Sequence, residues 1–87
     1  MPYIKKSDRE KYNDILRALY NLPEIDTKGD LEFLVFSLMV KYMKTREFRY
    51  STLHDCVYAC QHCSDEYRRR FLDERGNSAM STNGDID

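Results

Sequence analysis

The stretch from Asp30 to Thr45 constrains this chain more than any other part of it. Leu31, Phe33, Leu34, Val35, Phe36, Leu38, Met39, Val40, Tyr42 and Met43 fill it with few interruptions. At about 3.6 residues per helical turn, these side chains occupy nearly the whole circumference and not a single stripe. A helix that is apolar all round has to be covered on more than one side. Residues 31–36 are also β-prone, but no second run along the chain could pair with them, and an unpaired strand is not stable. The segment is therefore expected to be a helix. With 87 residues and 10.4 kDa, the protein holds one domain with a thin core. Two neighbouring helices in so small a domain cover only part of such a surface. The excess predicts a homo-oligomer.

Two further helices follow from local signals. Ser7 and Glu10 have the spacing of a capping box, and Tyr12, Ile15, Leu16, Leu19 and Tyr20 recur as one amphipathic stripe until Pro23 stops it. Thr27 is the expected cap of the second helix, and Ser51 or Thr52 that of the third. Leu53, Val57, Cys60, Ser64, Tyr67 and Phe71 then alternate in steps of four and three, a coiled-coil-like seam. Gly76 can take the left-handed conformation that ends a helix. These signals place helices at about 8–22, 30–45 and 52–75. The expected fold is all-α: a small three-helix domain over residues 1–76 with an N-terminal arm at 1–6, a flexible C-terminal tail at 77–87, and assembly into a homo-oligomeric helical bundle.

Charge and composition narrow the function. Fourteen Lys and Arg against fifteen Asp and Glu give a net charge of −1, which argues against nonspecific nucleic-acid or membrane binding through charge alone. The opening Met1-Pro2-Tyr3-Ile4-Lys5-Lys6 runs into charge and not into an apolar stretch, so no secretory leader and a cytoplasmic location are expected.

The three cysteines, Cys56, Cys60 and Cys63, fall at i, i+4 and i+7 with His62 between the last two. A straight helix spreads the outer pair over about 10 Å, too far for one tetrahedral zinc. Their odd number suits a reducing compartment, and they are expected to be structural, with no metal and no cofactor. Cys63 and His62 point about 100° apart on a helix, so they do not form a nucleophilic pair. No phosphate loop and no metalloprotease motif is present, and the chain is not expected to be an enzyme.

Aromatic residues beside Lys and Arg are the remaining chemistry, because a ring can stack on a base while a cation grips phosphate. Tyr3, Lys5, Lys6 and Arg9 crowd the start of the first helix. Lys41, Lys44, Arg46 and Arg49 gather near Tyr42, Phe48 and Tyr50, and Tyr67, Arg68, Arg69 and Arg70 close the third helix. The first group is the preferred anion site, helped by the positive end of the helix it opens, and Tyr67, Arg68 and Arg69 are the second choice.

The opening string, with Gly29-Asp30-Leu31, Lys41-Tyr42, Glu66-Tyr67-Arg68-Arg69 and Asn83-Gly84-Asp85 in the same order, resembles a family of short, mostly uncharacterised proteins from tailed bacteriophages and related bacterial genomes. Arg46-Glu47-Phe48-Arg49, the extra cysteines and Arg70 depart from the family pattern. The resemblance implies a phage origin and a small helical fold, and brings no activity with it. Small helical oligomers of this form suit a non-enzymatic binder that sequesters a small anionic ligand, such as a cyclic nucleotide immune signal, as an anti-defence sponge. The competing expectation is a helical inhibitor or accessory factor that binds a host protein. A nucleic-acid binder is the weakest of the three.

Overall fold

The computed structural model describes residues 2–86; Met1 and Asp87, the ends of the expected arm and tail, lie outside the described residues. Three helical runs and no strand make up these residues, an all-α protein. The first run consists of α1 (Lys6–Arg9), a 3₁₀ turn (Glu10–Tyr12) and α2 (Asn13–Asn21). The second is α3 (Lys28–Met43). The third consists of α4 (Tyr50–Tyr67), a π-helical stretch (Arg68–Leu72) and α5 (Asp73–Asn83). The chain divides into one compact unit, Tyr3–Val57, and a second built from Tyr58 onward together with Pro2.

The capping box expected at Ser7 and Glu10 does not form. Lys5 occupies the cap position with extended backbone and no side-chain cap, so Ser7 already lies inside the first turn. Arg9 accounts for this local geometry: its Nε donates to the carbonyl of Ile4 at 2.9 Å and holds the arm against the turn. α1 is one turn long before the 3₁₀ segment begins, which leaves little aligned dipole at its start. α2 stops at Asn21, with Leu22 extended (ψ 131°) ahead of Pro23, as the crowding of a residue before proline requires.

The expected cap at Thr27 is present and forms a full capping box. Its Oγ1 accepts from the Asp30 N–H at 3.0 Å, and the Asp30 carboxylate accepts from the Thr27 N–H at 3.3 Å. At the other end of α3, Arg46 folds back so that its guanidinium donates to the Tyr42 carbonyl and lies 3.7 Å from the centre of the Tyr42 ring. α4 begins at Tyr50, earlier than expected. Thr52 is therefore not its cap but a brace inside the first turn, accepting from the Arg49 N–H at 3.2 Å and donating to the Glu47 carbonyl at 2.6 Å.

Gly76 does not end the third run. It lies within α5, and the positive-φ glycine is Gly84 (φ 87°), whose N–H closes the helix on the Met80 carbonyl at 2.8 Å. Residues 77–83 are thus helical, where the sequence suggested a tail. A glycine inside a helix costs about 1 kcal/mol but does not break it, and no proline follows to do so. The π-helical stretch is centred on Arg70, and the Asp73 N–H reaches back five residues to the Arg68 carbonyl. An i→i+5 bond of this kind accommodates an additional residue in one turn.

Burial is sparse. Met43 (8% exposed) and Cys56 (6%) are the buried hydrophobic residues among those described, while Phe33 and Phe36 on α3 remain 64% and 66% exposed.

Candidate functional site

The N-terminal arm presents Tyr3, Lys5 and Lys6 from one short extended segment and the turn that follows it. All three are exposed. The bond from Arg9 to the Ile4 carbonyl fixes the backbone between the tyrosine and the two lysines, so Arg9 here anchors the arm. One of its five N–H donors is engaged in this way. Tyr3, Lys5, Lys6 and Arg9 all belong to the Tyr3–Val57 unit.

Tyr67, Arg68 and Arg69 belong to the other unit. The Tyr67 ring lies 4.7 Å from the Phe71 ring at 47°, the tilted geometry that aromatic pairs favour. Arg69 is neutralised: its Nε donates to Glu66 Oε1 at 2.7 Å, and its Nη2 lies 2.5 Å from the same oxygen. Pro2, His62, Asp65, Glu66 and Arg69 line a shallow depression of about 280 Å³ in this unit. Two carboxylates to one guanidinium make it a poor place for phosphate. Arg68 is exposed and has no carboxylate partner among the described residues.

Two members of the basic group at the end of α3 serve the fold. Arg46 caps the helix through Tyr42, and Arg49 pairs with Glu47 in the loop. The cysteines separate by environment, since Cys56 is buried, Cys60 is half-buried and Cys63 is exposed. No group of three or more His, Cys, Asp or Glu side chains suited to hold a metal ion occurs among the described residues.

One apolar groove was not legible as a site in the sequence. Phe36, Met39, Val40 and Met43 of α3 face Phe48, Leu53, Cys56 and Val57 across a groove of about 480 Å³, with Lys44 and Arg46 also lining it. Phe48 is the residue that pattern reasoning could not place. It is a single aromatic in a charged loop, 80% exposed, and only the return of the chain from α3 to α4 sets it on the groove. None of the helices among the described residues is long and apolar enough to cross a membrane.

The fold is that of a small all-α protein whose chemistry lies on open surfaces. The chain belongs to the family described as a domain of unknown function, DUF6899, whose model matches residues 1–86. No curated protein and no solved structure matches it.

Proposed function

We propose that this is a phage-encoded, non-enzymatic protein that sequesters a small anionic ligand of the cyclic-nucleotide class in the cytoplasm of the bacterial host. The ligand is held between copies of the chain. The observation that carries this reading is the anchored arm: the Arg9 bond to Ile4 holds an exposed tyrosine and two exposed lysines on one short segment. A ring of this kind stacks on a base, and two ammonium groups beside it grip phosphate without any reaction taking place. The site needs neither metal nor cofactor.

A second reading rests on Tyr67, Arg68 and Leu72, which are exposed at the π-helical stretch. Such a mixed apolar and cationic surface suits an inhibitor or accessory factor that docks on an acidic face of a host protein. Titration calorimetry against a panel of cyclic di- and trinucleotides and ADP-ribose derivatives separates the two. Saturable heat with a member of the panel is expected. No heat with any of them would overturn the ligand reading in favour of the host-protein one.

A further inference from the structure

We infer that the α3–α4 groove and the apolar faces beside it are the interface with a second copy of this chain, and that the Tyr3–Val57 unit completes its core only in that assembly. The inference stands whether or not the ligand reading holds. Within this unit the residues that ought to form a core lie on its surface. Phe33, Phe36 and Leu38 on α3, Ile15 and Leu19 on α2, and Phe48 in the loop are all exposed, while Met43 and Cys56 are the buried hydrophobics. With their apolar neighbours they leave on the order of 1,000 Å² of apolar side chain in water. One partner's share of a standard interface is about 800 Å². The exposed area is therefore of the size that one partner contributes to an interface.

A second copy fits this surface better than a foreign protein does. The apolar area is spread over α2, α3 and the loop before α4, so what is missing is a core, and a core has to be supplied whenever the chain folds. Another copy is always made in equal amount at the same place. The net charge of −1 puts little repulsion between copies. The two faces also match in charge. Lys44 lines the groove, and Glu10 precedes the exposed Ile15, Leu16 and Leu19 of α2, while Arg46 is held by Tyr42 and Asp14 by Arg17. Ridge and groove lie on the same unit, so a two-fold pair satisfies both at once.

Light scattering coupled to gel filtration, with thermal unfolding followed by circular dichroism over a hundredfold range of protein concentration, tests the inference. The expected mass is at least twice 10.4 kDa, and the unfolding midpoint is expected to rise with concentration, as it must when association and folding are linked. Phe36→Asp and Leu19→Arg should each lower both mass and midpoint, while Lys28→Ala on the exposed flank of α3 should change neither. Should a variant fail to fold, the wild-type concentration dependence still decides. A species of single-chain mass that unfolds cooperatively at a midpoint independent of concentration would overturn the inference. So would a stable complex with a different protein in place of the second copy.

Discussion

The thiol of Cys56 points at the backbone carbonyl of Met39 across 3.8 Å and seventeen residues of sequence. A thiol is a weak donor, so this contact positions more than it stabilises. It seats the C-terminal part of α3 against the second turn of α4, and Met43, which lines the same groove, is the other buried hydrophobic among the described residues. A core this small makes each member of it count.

Met43→Ala is expected to destabilise the protein by about 2–5 kcal/mol, the usual range for emptying a buried methionine site, and Met43→Leu by less than about 1.5 kcal/mol. Urea unfolding of the three proteins at one matched concentration measures this. A Met43→Ala cost near zero would show that the side chain is not packed.

The two candidate helix starts should respond differently to loss of a hydroxyl. Thr27→Ala breaks a formed capping box and is expected to cost about 1 kcal/mol. Ser7→Ala touches no cap and should stay within about 0.5 kcal/mol of wild type. Thermal denaturation of both variants checks the contrast, and equal losses would contradict the assigned helix starts.

Ligand binding should depend on the arm and not on Arg69. Charge-assisted contacts contribute roughly 1.5–3 kcal/mol each, so Lys5→Ala with Lys6→Ala is expected to weaken binding of a cyclic nucleotide by at least about 100-fold. Arg69→Ala should leave it within about threefold, because Glu66 already holds that guanidinium. Calorimetry on the folded variants reads both. A loss confined to Arg69→Ala would move the site to the other unit.

The cysteines should label in order of exposure. Cys63 is expected to react with iodoacetamide first and Cys56 last, since one is exposed and the other buried in the chain itself. Peptide mass mapping over time follows each thiol. The same sample, analysed for bound metal, should hold no stoichiometric zinc, and removal of divalent ions with a chelator should leave the unfolding midpoint unchanged. About one zinc per chain would reverse that expectation.

The sequence by itself determined that the chain is helical, where α2 stops and how α3 begins. Pro23 excludes a helical residue before it, and Thr27 with Asp30 closes a capping box inside four residues, so each outcome depends only on neighbours along the chain. The apolar circumference of α3 was legible for the same reason. Helix phase and side-chain engagement were not. Ser7 had the right partner at the right spacing, yet Arg9 bonding to Ile4 set the first turn differently. Gly76 could stop a helix but had no need to. Which arginine is engaged also depended on rotamer and helical phase: Arg46 folds onto Tyr42 and Arg69 onto Glu66, while Arg68 has no carboxylate partner among the described residues. Only the tertiary structure decided that Cys56 and not Cys60 or Cys63 is buried, and that Phe48 lies on the groove. Those outcomes require α3 and α4 to meet at a particular rotation, and the contact that records it joins residues seventeen positions apart, beyond the reach of any local pattern.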